Sequence, residues 1–178
     1  MPEQIGWLDD RAAWYDWATQ QPLRPLLNSR YAKGRLECYY GLSVTLGKDP
    51  VIATAIADEW VTALGDRICP GWHSALLCHY SPGVGIFPHR DHTCFSAMAV
   101  MVNLGTADFF EYPGKVKQVT RLEDGAIVRL NTKILHGVEP VVRSRYSLTF
   151  RYLKATYLNL PLLECIPDNE KQWSSMPH

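Results

Sequence analysis

The sequence predicts an α+β protein in which a double-sheet jelly roll is backed by N-terminal helices. Two observations support this fold class. Helical patterns occur only in the first part of the chain, and the chain after residue 71 consists of short strand-like runs separated by turns. At 178 residues the chain suits one domain. We expect a helical support over about residues 1–70, a jelly-roll core over about residues 71–155 and a tail over residues 156–178.

Two helices are predicted ahead of most of the strands. The first spans residues 9–19 and ends before Pro22. The second spans residues 50–64, where apolar side chains recur every four positions, Asp49 can cap the start and Gly65 can follow the end. The apolar side of this helix must lie on another element, most simply a sheet.

The strand-like runs are rich in β-branched and aromatic residues and are bounded by turn residues. Residues 36–44 predict a strand or a short hairpin between the helices. The other predicted strands are residues 73–80, 95–104, 108–112, 115–122, 126–131 and 145–153. Residues 95–104 are almost all apolar, so both faces of this strand should be covered, one by the opposing sheet and one by a helix.

Composition excludes several classes of protein. Lysine plus arginine equals aspartate plus glutamate at 18 each, so no overall field attracts nucleic acid or an anionic membrane. The five cysteines are scattered without a CxxC pair, which fits neither a disulfide framework nor a zinc cluster. The N-terminus is acidic, and no apolar run has the length of a bilayer span. We expect a soluble, cytoplasmic protein without a membrane partner.

A histidine and an aspartate two residues apart, His89 and Asp91, form the first candidate metal-binding pair. In an extended segment their side chains point to the same face. His136, in the segment ILHGV, is the best candidate for a third ligand, because it lies near the end of a strand and is followed by a glycine. Two imidazoles and one carboxylate form an arrangement typical of non-haem Fe(II), with coordination positions left open for substrates.

Other interpretations of these residues remain open. An isolated HxD pair is common by chance. A structural zinc site would need a fourth protein ligand, and no cysteine pair supplies it. His73 and His79 precede the turn before the pair, and His92 points to the other face, so packing or support roles suit these three histidines better.

The segment RYSLTFR predicts a strand with two different faces. One face carries the four polar side chains of Arg145, Ser147, Thr149 and Arg151, and the other is apolar. If the polar face is buried, an external anion should neutralise the arginines, because the strand has no acidic residue and unpaired buried cations are costly. Guanidinium groups bind carboxylates in a bidentate manner, so this face suits a dicarboxylic cosubstrate. A strand with its polar face in water is the alternative.

Three segments together resemble the Fe(II)/2-oxoglutarate dioxygenases, specifically their AlkB-like branch: HYSPGVGIFPHRDH, ILHGV and RYSLTFR. The resemblance covers about residues 73–154 and implies a jelly roll of the double-stranded β-helix type. It implies three catalytic iron ligands, His89, Asp91 and His136. It also implies that Arg145 binds the distal carboxylate of 2-oxoglutarate. The other residues at the implied cosubstrate pocket are Cys78, Tyr80, Ser147 and Arg151.

Three positions depart from the AlkB-like pattern. Cys78 and Ser147 stand where that pattern has asparagine, so hydrogen bonding to the cosubstrate must be partly rearranged. Thr93 stands where an acidic residue often helps to bind the target base, and the chain before the jelly roll is short for a nucleotide-recognition lid. These departures leave the oxygenase chemistry in place and weaken the expectation of a nucleobase substrate.

The resemblance implies an O2-dependent reaction that converts 2-oxoglutarate to succinate and hydroxylates a C–H bond of the substrate. One candidate is oxidative demethylation of alkylated bases in DNA or RNA. Four basic residues would then contact phosphates, or they form an ordinary solvated surface: Arg24, Arg30, Lys33 and Arg35. The second candidate is hydroxylation of a small molecule or a protein side chain, and the third is a jelly-roll module that binds a ligand without oxidising it.

Overall fold

The computed structural model describes residues 1–25, 31–45 and 50–163. Its helices are α1 (Arg11–Thr19), α2 (Glu59–Ile68) and α3 (Ala155–Leu158). Its strands are β1 (Glu3–Trp7), β2 (Arg24–Pro25), β3 (Leu36–Thr45), β4 (Val51–Thr54), β5 (Ser74–Tyr80), β6 (Ile86–His89), β7 (Phe95–Leu104), β8 (Ala107–Tyr112), β9 (Gln118–Leu122), β10 (Ala126–Asn131), β11 (Leu135–Val138) and β12 (Arg145–Leu153). Within these three ranges, every helix is too short or too polar to cross a membrane.

The strands form two antiparallel sheets. The larger sheet has the order β1-β10-β7-β12-β5-β3-β2, and β4 extends it by pairing with β3. The smaller sheet has the order β6-β11-β8-β9. Two sheets with few helices confirm the predicted jelly roll. The candidate ligands lie on or beside the smaller sheet, and β12, which carries Arg145 and Arg151, lies in the larger sheet.

Two apolar clusters hold the layers together. The first lies between the helices and the larger sheet and includes Trp14, Val61, Leu64, Val102 and Phe150. The second lies between the two sheets and includes Leu76, Met101, Phe109 and Val138. Strand β7 contributes to both clusters, so both of its faces are covered as predicted from Ala99 to Leu104, whereas Ala97 and Met98 are exposed. The apolar face of β12 packs in the first cluster, which turns the polar face of β12 toward the smaller sheet.

The predicted helix over residues 50–64 is wrong in its first half. Val51–Thr54 is strand β4, and α2 begins only at Glu59. Pairing with β3 satisfies the backbone of this segment, and β-branched side chains such as Ile52 fit a strand better than a helix. The recurrence every four residues was therefore a coincidence across a strand, a loop and a helix.

The two ends of α2 also differ from the prediction. The Asp58 carboxylate caps the helix by accepting a hydrogen bond from the Val61 amide at 2.9 Å, whereas Asp49 lies outside the described residues. Gly65 lies inside α2 rather than after it. A Cβ atom at Gly65 would lie 2.6 Å from Phe150 Cε1, so the glycine lets the helix approach the sheet closely.

Most predicted strands are confirmed. Strands β7, β10 and β12 have the predicted bounds, and the first helix is present as α1. Strand β9 begins at Gln118 rather than at residue 115, and strands β1, β2, β4, β6 and β11 were not predicted. Of the predicted tail, residues 164–178 lie outside the described residues.

Candidate functional site

The candidate ligands lie on two adjacent strands of the smaller sheet. His89 is the last residue of β6, Asp91 follows shortly after it, and His136 lies in β11. The strand register pairs His136 with His89. Because directly paired residues of neighbouring strands point to the same face, the fold brings the two imidazoles together across a long separation in sequence.

The three side chains are close enough to bind one ion. Among the described residues they form a group in which one ligand atom of each lies within 4.8 Å of the others. The Nε2 atoms of His89 and His136 lie 3.6 and 3.7 Å from Oδ1 of Asp91. With metal–imidazole bonds of about 2.1 Å, two atoms bound to one ion lie about 3–4 Å apart. This spacing suits a single shared ion.

Backbone carbonyls fix the orientation of both imidazoles. His89 Nδ1 donates to the Phe87 carbonyl at 3.0 Å, and His136 Nδ1 donates to the Ile134 carbonyl at 2.8 Å. A carbonyl can only accept, so Nδ1 carries the proton and Nε2 keeps its lone pair toward Asp91. Burial, followed by the nearby His89, lowers the pKa of His136 and favours the neutral ring that binds metals.

Arg151 neutralises the candidate ligand Asp91. Its Nε donates to Oδ2 of Asp91 at 2.7 Å, which leaves Oδ1 facing the imidazoles. Burial by itself raises the pKa of Asp91, but the charge of Arg151 opposes it most strongly, and this pKa lies well below its usual range. From the sequence we expect an external anion to neutralise Arg151, but the carboxylate of Asp91 does so instead.

Arg145 lies fully buried at the other end of the polar face of β12. Its Nε donates to Asn103 Oδ1 at 2.7 Å, its Nη2 lies 3.6 Å from Met101 Sδ, and its guanidinium lies 4.8 Å from the centre of the Tyr80 ring. Among the described residues, no group accepts a hydrogen bond from its Nη1. Burial lowers the pKa of Arg145, which Tyr80 and Cys78 partly offset. A buried cation with a free donor suits a carboxylate ligand.

The other residues predicted for the cosubstrate pocket lie on neighbouring strands. The register of β5 and β12 pairs Cys78 with Ser147 and Tyr80 with Arg145. All four side chains line one cavity, which the metal triad also lines. Burial raises the pKa of the Cys78 thiol, so Cys78 presents a weak S–H donor where an asparagine amide was expected.

Arg35 is a pocket residue whose position the sequence did not predict. Expected at the surface with Arg24 and Lys33, it lines the cavity instead, and its side chain is 11% exposed. Its Nη2 donates to Glu37 Oε2 at 2.9 Å. Arg24 and Lys33 are exposed, and Arg30 lies outside the described residues. The available signal was the two-residue spacing of Arg35 and Glu37, which places opposite charges on one face of a strand.

The three other histidines near the candidate ligands in sequence contact other groups. Their contacts are His73 Nδ1 with the Leu153 amide at 3.1 Å, His79 Nε2 with Ser144 Oγ at 2.8 Å and His92 Nδ1 with the Cys94 amide at 3.2 Å. Among the described residues, none of the three belongs to a cluster with metal-ligand spacing.

The arrangement fits a metal ion and a diacid side by side. Two imidazole nitrogens and one carboxylate oxygen match the donor set of non-haem Fe(II). The unpartnered nitrogen of Arg145 offers a separate anchor for a carboxylate in the same cavity. A diacid that spans both groups would bind the metal ion at one end and the guanidinium group of Arg145 at the other.

Comparisons with known proteins agree on the fold. No family model matches the chain, and no curated protein matches its sequence. The structure of OsALKBH1 matches with a TM-score of 0.62 at 14% identity, covering 85% of this chain and 100% of that chain. A Pseudomonas putida prolyl-4-hydroxylase matches with a TM-score of 0.58 at 17% identity, covering 86% and 92%. A 2OG-Fe(II) oxygenase family oxidoreductase from Burkholderia pseudomallei matches with a TM-score of 0.59 at 17% identity, covering 80% and 78%. The chain therefore has the fold of the 2OG-Fe(II) oxygenases.

Proposed function

We propose that this protein is an Fe(II)- and 2-oxoglutarate-dependent dioxygenase that hydroxylates a C–H bond. One observation carries the proposal: the triad of His89, Asp91 and His136 and the unpartnered nitrogen of Arg145 belong to one cavity. The triad suits iron, and Arg145 suits the distal carboxylate of a 2-oxo diacid. The fold shared with 2OG-Fe(II) oxygenases supports the same reaction class.

The residues of this chain bind and orient the reactants. His89, Asp91 and His136 would hold the iron as its protein ligands, and three protein ligands would leave coordination positions open. Arg145 and Tyr80 hold the distal carboxylate, and the shorter side chains along the pocket are Cys78, Ser147 and Thr149. When bound, iron and 2-oxoglutarate would supply an O2-dependent oxidation that releases CO2 and places one oxygen atom in succinate and the other in the hydroxylated product. Apolar lining residues such as Phe109 and Leu130 exclude water from this chemistry.

An alkylated nucleobase is the first candidate substrate, with hydroxylation of the N-methyl carbon followed by release of that carbon as formaldehyde. Aromatic side chains near the ligands support it. The Tyr31 ring lies 6.0 Å from the His89 ring, with 35° between their planes. Phe87, on the same strand as His89, is 61% exposed. Exposed aromatic faces beside the metal ligands can stack on a flat substrate.

A small molecule or a protein side chain is the second candidate substrate. Arg35 points into the pocket and pairs with Glu37, so it does not contact a phosphate at the surface. Thr93 lacks the charge that would help to bind a base. Fewer contacts are then left for a nucleic acid backbone, and a smaller substrate needs none of them.

Anaerobic addition of Fe(II) and 2-oxoglutarate tests the reaction class. We expect a weak visible charge-transfer band and, after O2 is admitted, formation of succinate. The variants Asp91→Ala and His136→Ala should lose both signals, whereas Arg129→Gln, at an exposed ion pair, should keep them. A band without succinate formation would support the non-catalytic binding module, and a wild-type protein without a band would refute the proposal.

Binding of short single-stranded oligonucleotides tests the substrate. Phosphate contacts give a log K that falls with log salt by about 0.7 per contact. A steep slope, together with weaker binding by Tyr31→Ala, would support the nucleobase. Binding that is absent, or that is insensitive to salt, would favour the small molecule or protein side chain.

A further inference from the structure

Two buried guanidinium nitrogens lack a partner among the described residues, and both belong to arginines that line the same cavity. They are Nε of Arg35 and Nη1 of Arg145. A buried N–H group without an acceptor costs free energy, so native proteins rarely leave one unpaired without a ligand or water. One ligand in this cavity could satisfy both donors.

The two arginines lie on either side of Tyr80. Arg145 pairs with Tyr80 in the register of β12 and β5, and Leu36 pairs with His79 in the register of β3 and β5, which places Arg35 beside Tyr80. The guanidinium carbons lie 4.8 Å (Arg145) and 6.0 Å (Arg35) from the centre of the Tyr80 ring. Both guanidinium groups therefore lie near Tyr80, at the end of the cavity away from the metal triad.

The charges at this end match one carboxylate. Glu37 neutralises Arg35 through the 2.9 Å contact with Nη2. The hydrogen bonds of Arg145 go to the uncharged groups of Asn103 and Met101. Two guanidinium groups and one carboxylate leave a single positive charge, which one further carboxylate would balance.

We propose that Arg35 is a second carboxylate-binding residue, and that the distal carboxylate of the cosubstrate accepts hydrogen bonds from both Arg35 and Arg145. This inference rests on the proposed function. Each carboxylate oxygen takes one of the two donors, so neither guanidinium nitrogen stays unpaired. The pocket then selects 2-oxo acids that carry a second carboxylate over those that end in a methyl group.

Binding measurements on metal-loaded protein under anaerobic conditions test this inference. Removing Arg35 alone would leave Glu37 buried without its partner, so Arg35→Gln/Glu37→Gln is compared with Glu37→Gln. We expect the double variant to bind 2-oxoglutarate about tenfold more weakly than Glu37→Gln, the loss typical of one charge-assisted hydrogen bond. Arg121→Gln, at an exposed ion pair with Asp108, is the control and should bind as the wild type does.

A second ligand separates direct contact from a general effect on the protein. 2-Oxopentanoate has the same chain length with a methyl group in place of the distal carboxylate. It should bind equally well to the double variant and to Glu37→Gln. Equal losses for the two ligands would overturn the inference. Thermal stabilisation of metal-free protein by glutarate should likewise be smaller in the double variant than in Glu37→Gln, and equal stabilisation would also overturn it.

The indirect alternative is that Arg35 acts only by holding the Tyr80 hydroxyl, which lies 3.5 Å from its Nη1. A Tyr80→Phe background decides this point. If Arg35 contacts the carboxylate directly, adding Arg35→Gln to Glu37→Gln should weaken 2-oxoglutarate binding about tenfold in the Tyr80→Phe background too. Equal affinity of the two proteins in that background would contradict direct contact. If wild-type protein binds no 2-oxoglutarate, the proposed function fails; if it binds normally and the Arg35 variants do too, only this inference fails.

Discussion

Arg151 and Asp91 are joined by a hydrogen bond of 2.7 Å between Nε and Oδ2, which links the last part of β12 to the candidate metal ligands on the opposite sheet. The side chain of Asp91 is 7% exposed and that of Arg151 is 15% exposed. Arg151 lowers the pKa of Asp91 against the effect of burial. The carboxylate is thus kept ionised and oriented, with Oδ1 directed toward the two imidazoles.

The first prediction concerns this pair. Arg151→Met removes the donor that orients Asp91, so we expect metal affinity to fall by about 10–100-fold, as for other groups that support metal ligands. Titration with Co(II), followed by its visible absorption, measures the change. Arg129→Met removes an arginine at the surface and should leave affinity unchanged. Unchanged affinity in Arg151→Met would show that Asp91 does not need this partner.

The second prediction concerns Arg145. Arg145→Lys keeps a positive charge but cannot reproduce the fixed fork of the guanidinium, and it also loses the hydrogen bond from Nε to Asn103. We expect the KM for 2-oxoglutarate to rise about tenfold or more, because one charge-assisted contact is lost. Succinate formation at varied 2-oxoglutarate measures it, with Arg121→Lys as the control. An unchanged KM would remove Arg145 from the cosubstrate site.

The third prediction concerns Lys133, which ties together the segments that carry the ligands. Its Nζ donates to the backbone carbonyls of Asp91 at 3.1 Å and His92 at 2.7 Å, and its own carbonyl accepts from Arg90 Nε at 2.9 Å. We expect Lys133→Met to weaken Co(II) binding about tenfold, because the position of Asp91 becomes less fixed.

Two further measurements make the Lys133 prediction specific. The exposed residue Lys115 gives the control variant Lys115→Met, which should bind Co(II) normally. Stabilisation of metal-free protein by glutarate should not change in Lys133→Met, because Lys133 does not line the cavity that contains Arg35 and Arg145. Loss of both metal and glutarate binding would point to general unfolding instead of a local effect on the metal ligands.

Part of the site could be predicted from the sequence because strand geometry is local. The two-residue spacing of His89 and Asp91 and the alternation in RYSLTFR depend only on the direction of successive side chains. The partner of Arg151 could not be predicted, because it depends on how the two sheets face each other. Arg35 was assigned to the surface for the same reason, since its burial is set by β3 lying beside β5.

The fold was predictable where one pattern dominated. The run over residues 95–104 is almost all apolar, and β7 has those bounds, with its second half buried. Residues 50–64 carried two competing signals, and the apolar recurrence concealed the short strand β4. Pairing of β4 with β3 decides the outcome, and such long-range pairing is absent from a local pattern.

The fourth prediction concerns Gly65, which lies inside α2 although the sequence predicts it after the helix end. A Cβ atom there would lie 2.3 Å from Trp72 Nε1 and 2.6 Å from Phe150 Cε1. Overpacking costs about 1–3 kcal/mol. This cost is at least as large as the gain of about 1 kcal/mol in helix propensity when alanine replaces glycine. We expect Gly65→Ala to lower the free energy of urea unfolding. Gly114→Ala, with open space around the added atom, should change it little.

The fifth prediction concerns Tyr15, which fastens α1 to the turn between β9 and β10. Its hydroxyl donates to Asp124 Oδ1 at 3.2 Å, and the same oxygen accepts from the Gly105 amide at 2.8 Å. Burial, followed by the charge of Asp124, raises the pKa of Tyr15 from 10.0 to about 12. The neutral phenol is therefore favoured in the folded state.

The sign of the pH dependence follows from that shift. Because the folded pKa lies above the unfolded one, the contribution of Tyr15 is fully present below pH 10 and is lost as pH rises toward about 12. We expect Tyr15→Phe to lose about 1 kcal/mol at neutral pH, the typical net value of one hydrogen bond. The difference between wild type and variant should then shrink across that alkaline window. Urea unfolding at a series of pH values measures it, and a difference that stays constant up to pH 12 would contradict the role of Tyr15.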